Sequence, residues 1–109
     1  MKDLLHQHCV ALTGSPMSDN DIKRHLAQLS GWKLTGGKIE KSYGFRNYYE
    51  TIAFVNALAW IAHTEDHHPE LQVTYNRCVV RFDTHSVGGI SMNDFICATK
   101  VDALVAFIG

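Results

Sequence analysis

Gly36-Gly37 lies between two runs of alternating polar and apolar residues, Trp32-Lys33-Leu34-Thr35 and residues 38–45. Both turn glycines can take positive φ without a Cβ penalty, so the segment predicts a tight β-hairpin. Trp32, Leu34, Ile39, Tyr43 and Phe45 are its expected core side chains. Asn47-Tyr48-Tyr49-Glu50 then has the form of a capping box. Tyr48, Ile52, Val55, Ala59 and Ala62 follow at helical spacing, backed by Phe54, Leu58 and Ile61, a broad apolar face suited to packing across a sheet. This helix should reach about Glu65. Pro69 disfavours the α region for His68, so the helix must stop near Asp66 or His67.

The same pattern then repeats. Residues 71–75 alternate, Tyr75-Asn76-Arg77 is turn-like, and residues 78–84 alternate again. Cys78, Val80, Phe82 and Thr84 share one face of that run, and Val79, Arg81, Asp83 and His85 the other. Ser86-Val87-Gly88-Gly89 reads as a flexible loop. Ser91-Met92-Asn93-Asp94 is a second capping box, opening a last helix with Phe95, Ala98, Val101, Leu104, Val105 and Ile108 as its apolar set. A first helix over about 18–30 precedes both hairpins. Ser18-Asp19-Asn20-Asp21 supplies its cap, Ile22, Leu26 and Leu29 its stripe, and Gly31 its end. The order α-β-β-α-β-β-α predicts a two-layer α+β domain, a four-stranded antiparallel sheet covered on one face by helices. Residues 1–17 form a loosely ordered N-terminal arm and residues 18–109 the domain.

A chain of 109 residues is long enough to bury a real core without metal or disulfide staples. Its net charge of −1, with scattered Lys and Arg, offers no phosphate-binding footprint, which argues against nucleic acid as a ligand. Cys9, Cys78 and Cys97 are odd in number and contain no CxxC pair, which fits a reducing compartment. The first twelve residues are too polar for a secretory signal, and no apolar run approaches a membrane span, so the expected location is the cytoplasm.

Chemistry concentrates in residues 63–70, which hold three His, two Glu and one Asp. His63 and His67 stand at i, i+4, the histidine spacing of zincins. In zincins, however, a glutamate follows the first histidine, whereas here Thr64 does, and Glu65 points to the opposite side of the helix. His68, held extended by Pro69, does not complete a ligand set. His6, His8 and Cys9 in the arm lack a fourth ligand. No metal is expected at either place. General acid–base chemistry asks for less: His67 and His68 at a helix end, His85 at a strand end and Asp94 in the first turn of the last helix would meet at one rim of a two-layer domain.

Glu65-Asp66-His67-His68-Pro69-Glu70, Asp83-Thr84-His85 and residues 88–94 together resemble the pterin-4a-carbinolamine dehydratase family. The likeness covers residues 18–108. Residues 86–96 and Leu5-His6-Gln7-His8-Cys9 are similar to its bacterial branch. The resemblance implies dehydration of 4a-hydroxytetrahydrobiopterin to quinonoid dihydropterin and water, which recycles the pterin of aromatic amino acid hydroxylases. It implies that His67, His68 and His85 are the active-site histidines and that Asp94 supports them. The pterin would lie between His67-His68-Pro69 and Thr84-His85-Ser86-Val87, with no metal or redox cofactor. Two positions depart from the pattern: His63 stands where animal members carry Glu, and Asp83 where a small serine is common. Some relatives are non-catalytic dimerisation or assembly modules, the alternative reading. A half-exposed antiparallel sheet suits a homodimer or homotetramer.

Overall fold

The structure is a computed structural model describing residues 3–108; residues 1, 2 and 109 and the side chains of Phe107 and Ile108 lie outside the described residues. Helix α1 (Asp19–Leu26) precedes strands β1 (Lys33–Thr35) and β2 (Lys38–Gly44). Helix α2 (Tyr48–Glu65) leads to β3 (Glu70–Val73), β4 (Arg77–Phe82) and the last helix α3 (Met92–Ile108). The strands form one antiparallel sheet in the order β1-β2-β4-β3. This is the α+β architecture expected from the two hairpin–helix units.

Register decides which face of the sheet is covered. Ile39 pairs with Phe82 and Tyr43 with Cys78, and all four side chains are buried against the helices. One residue out of phase, Arg81 lies between Glu40 and Glu70. It binds Glu40 at 3.0 Å and lies 3.7 Å from Glu70, so the opposite face is polar. The core joins Phe54 and Leu58 of α2 to Phe95, Ala98 and Val101 of α3 over Val80 and Phe82.

Several local expectations need correction. The first helix stops at Leu26 because its last turn tightens: Gln28 and Leu29 donate to the carbonyls of His25 and Leu26, three residues back. Gly31, at φ +84°, therefore follows the helix at a distance instead of capping it. Leu34 is 41% exposed, since β1 is a short edge strand. The buried line of α2 is Thr51, Phe54, Leu58 and Glu65, while Tyr48 and Ala59 face outward. Two interleaved stripes were present in that helix, and packing against α3 and β4 selected the second. The segment after His85 is ordered by a 3-10 turn over His85–Val87, with Thr84 and Gly89 paired backbone to backbone.

One buried-edge network ties α3 to the first hairpin. Asp102 accepts from Trp32 Nε1 (3.1 Å), Lys41 Nζ (2.9 Å) and the Tyr43 hydroxyl. Burial, reinforced by this carboxylate, pushes the Tyr43 phenol far above its usual range.

Among the described residues, the N-terminal arm has one 3-10 turn, at Leu4–His6, and its backbone is anchored at five points. Lys100 Nζ donates to the Leu5 carbonyl at 2.7 Å, and the Cys9 N–H donates to Glu65 Oε1 at 2.7 Å. The Val10 N–H donates to Asn93 Oδ1 (3.2 Å), and Asn93 Nδ2 donates back to the Val10 carbonyl (2.8 Å). The Met17 N–H reaches the Ile90 carbonyl at 2.7 Å. A Cβ on Gly89 would sit 2.7 Å from the Pro16 side chain, so glycine permits this close approach. His6, His8 and Cys9 diverge: His6 pairs with Asp3, His8 with Glu65 at 2.9 Å, and Cys9 faces Cys97.

Candidate active site

Helix α2 ends as the Pro69 constraint requires. Asp66 adopts the left-handed conformation at φ 51°, and the N–H groups of Asp66 and His67 close onto the last carbonyls of the helix. The chain therefore turns before His67, which no longer shares a helical face with His63. His63 is exposed beside Trp60, whereas the His67 ring stacks on Phe82 with centroids 5.9 Å apart and planes 9° from parallel. The i, i+4 metal pair thus does not form. Among the described residues, no group of three or more His, Cys, Asp or Glu is arranged to hold a metal ion.

His67 Nε2 lies 2.6 Å from Oδ1 of Asp94, which has no solvent exposure. The other carboxylate oxygen accepts from the Thr84 hydroxyl (2.8 Å) and the Ser91 backbone N–H (2.9 Å). The Ser91 and Thr84 hydroxyls are 2.6 Å apart. Thr84 has one hydroxyl hydrogen and gives it to Asp94, so the Ser91 hydroxyl donates to Thr84. The Ser91 oxygen in turn accepts from the Asn93 N–H at 3.2 Å. The capping box is thus half conventional. Asp94 reaches back to the Ser91 N–H as expected, but its second oxygen is spent on an imidazole instead of solvent.

With three donors on one buried carboxylate, Nε2 of His67 carries the hydrogen and Nδ1 is left for other work. His67, His68, Thr84, His85 and Ser86 line one cleft of about 230 Å³. His68 and His85 are exposed in it, and His67 is nearly covered, its side chain 11% exposed. Asp83 also lines the cleft and pairs with Lys38 at 3.1 Å. Pro69 is half-buried and Val87 is buried; neither is in the lining. Larger hollows of about 380 and 600 Å³ lie under the arm and beside the start of α2, but neither gathers more than one imidazole.

Residues 15–104 match the protein family described as Pterin 4 alpha carbinolamine dehydratase. The chain belongs to that family. It is 63% identical over 92 residues to a protein of Bdellovibrio bacteriovorus named as a pterin-4-alpha-carbinolamine dehydratase, covering 81% of this chain and 77% of the other. A protein of Chromobacterium violaceum with the same name is 53% identical over 103 residues, covering 94% and 95%. A solved structure from Brucella melitensis, titled a transcriptional coactivator/pterin dehydratase, superposes with a TM-score of 0.78 at 30% identity, over 83% of this chain and 98% of that one. Family and relatives together support pterin carbinolamine dehydratase activity, that of a hydro-lyase.

In this pterin carbinolamine dehydratase family member, the cleft has a wall that sequence reasoning missed. Val10, Ala11 and Leu12 of the arm border it, as does Asn93. The two-way bond between Asn93 and Val10 sets the arm against the histidines. Nothing in the local pattern of residues 8–12 signals this, because the anchors lie more than 50 positions away, at Glu65 and Asn93. No helix among the described residues is long and apolar enough to cross a membrane.

Proposed function

We propose that the cleft dehydrates 4a-hydroxytetrahydrobiopterin to quinonoid dihydropterin and water by histidine acid–base catalysis. The observation that carries this reading is the tie between His67 and the buried, donor-saturated Asp94 beside two exposed histidines. Loss of the C4a hydroxyl needs a proton on the departing oxygen, and formation of the product needs the N5 proton removed. Asp94 keeps the His67 hydrogen on Nε2, so Nδ1 faces its task as a lone pair, and the carboxylate stabilises the imidazolium formed when His67 takes the N5 proton. His85 or His68, each open to solvent, delivers a proton to the leaving hydroxide and is recharged from water. Asp94 is a positioning residue, since it acts through His67. Metal and redox chemistry are not needed for this balance of protons.

The physiological role that follows is return of the pterin used by an aromatic amino acid hydroxylase, in the cytoplasm, by a homodimer or homotetramer. A non-catalytic role on the same fold is the alternative. One neighbour of the fold, 24% identical with a TM-score of 0.56, is titled a RuBisCO assembly factor. The complete histidine set and its buried aspartate favour the enzyme, since docking alone has no use for an imidazole held in one tautomer.

The test is the rate of 4a-hydroxytetrahydropterin dehydration, followed by absorbance, with wild type, His67→Ala and His85→Ala. Each variant should lose roughly 10²–10⁴ in rate, the range for one positioned acid–base group. Wild type that fails to exceed the spontaneous rate would leave the assembly role as the better reading.

A further inference from the structure

We propose that Cys9 and Cys97 form a modification site: they join in an intramolecular disulfide on exchange with a low-molecular-weight disulfide, latching the N-terminal arm to α3. Their Sγ atoms are 3.5 Å apart, one thiol carried by the arm and the other by the buried face of the helix. Neither is paired with anything else covalently. The approach is enforced from both sides. The Cys9 N–H is held by Glu65, and the next residue, Val10, is held by Asn93, one helical turn before Cys97. Cys9 Sγ also rests 3.5 Å from the Asn93 carbonyl, so the thiol cannot swing away without leaving a formed contact.

A disulfide requires its sulfurs at about 2.05 Å, so the gap must close by about 1.5 Å. The arm can supply that movement, because around Cys9 its backbone is held by hydrogen bonds to the Glu65, Asn93 and Lys100 side chains and, among the described residues, not by a strand ladder. Cys97 is fixed in α3 and has no solvent exposure. Its hydrogen bond to Cys9, then burial and the nearby carboxylates of Glu65 and Asp94, push its thiol far up. Cys9, half-buried, is therefore the sulfur that meets the small disulfide first.

The exchange balances in two steps. Cys9 gives up its proton and its thiolate attacks one sulfur of the small disulfide, forming a mixed disulfide and releasing one small thiol. Cys97 then gives up its proton and attacks Cys9 Sγ, forming the protein disulfide and releasing the second small thiol. Two protein thiols are oxidised by two electrons and the small disulfide is reduced to two thiols. The third cysteine, Cys78, sits in β4 opposite Tyr43 with no exposure and takes no part. Since Val10, Ala11 and Leu12 follow Cys9 directly and line the cleft, the bond would make one cleft wall covalent. Redox poise would then set how firmly that wall is held.

The experiment incubates the full chain in glutathione buffers of increasing oxidised fraction, quenches with acid, alkylates, and reads intact mass and peptide maps. Wild type should lose two hydrogens and yield a Cys9–Cys97 linked peptide, with Cys78 alkylated after unfolding. Cys97→Ser should stop at a glutathione mixed disulfide on Cys9, and Cys9→Ser should take up neither. Amide exchange at residues 10–12 should slow at least tenfold in the oxidised protein. Wild type that stays fully reduced in oxidised glutathione, that stops at the mixed disulfide, or that links Cys9 between two chains would overturn the proposal. So would a linked protein whose arm exchanges as fast as before.

Discussion

Asp94 and His67 are 27 positions apart and 2.6 Å apart at their polar atoms, and the carboxylate of the pair is completely buried. The buried charge is tolerated because its donors come from three directions: a histidine past the end of α2, a threonine beyond β4 and a backbone N–H at the start of α3. Replacing the charge while keeping the shape isolates its role. Asp94→Asn places an amide N–H₂ against Thr84 and Ser91 or against His67, all of which are donors. Dehydration kcat should fall about 10²-fold with KM little changed, and stability should fall by about 1–3 kcal/mol. Steady-state kinetics and urea unfolding read the two effects separately.

Asn93 faces the arm instead of the imidazole. Asn93→Ala removes both bonds to Val10 while leaving every partner of Asp94 in place. KM for the pterin should rise severalfold with kcat within about twofold, the pattern for loss of binding felt equally in ground and transition states. Amide exchange at Val10 should accelerate in the same variant. An unchanged KM would show that the arm only covers the cleft.

Glu65 makes arm docking sensitive to acid. Burial on its own would raise its pKa, but the Cys9 N–H, the His8 hydrogen bond and the Lys100 charge together hold it below its ordinary value of 4.5. A carboxyl depressed in the folded state stabilises fully above its unfolded value, and that contribution disappears as pH falls through the folded one. Wild type should therefore be more stable than Glu65→Gln near neutral pH. The gap between their unfolding midpoints should close as pH is lowered below about 4.5. A gap constant down to pH 3 would show that the loss is one of shape and not of charge.

Asp102 serves as a stability control remote from the cleft. Asp102→Ala strands the Trp32 indole N–H and the Tyr43 hydroxyl at once and removes the carboxylate beside Lys41, whose ammonium keeps the Ser30 carbonyl at 2.7 Å. Unfolding free energy should drop by about 2–4 kcal/mol, with kcat unaltered at temperatures where the variant stays folded. A kcat that falls with it would mean that the α3–hairpin junction reaches the site.

The element order was legible because local rules governed it. Gly36 and Gly37 both take positive φ in the first hairpin, Asn47 caps α2 by accepting from the Glu50 N–H, and Asp66 ends the helix three residues before Pro69. The face of α2 was less legible, since Tyr48-Ile52-Val55 and Thr51-Phe54-Leu58 are both helical stripes and only packing against α3 and β4 separates them. Leu34 looked like a core residue by alternation, but a three-residue edge strand leaves it half in water.

The candidate site divides the same way. From residue types and spacing came the histidine corner and its break at Pro69, and the expectation that His85 and Asp94 join it rested on the resemblance to the dehydratase family as well. Those signals are local, because a proline, a cap or a period constrains only its neighbours. Tertiary structure alone decided that His67 and not His63 turns inward, that the aspartate of a helix cap is spent on an imidazole, and that residues 10–12 wall the cleft. Each of these depends on which distant groups satisfy a buried donor or acceptor. That pairing is settled only when the sheet and the helices have brought α2, α3 and the arm to the same rim.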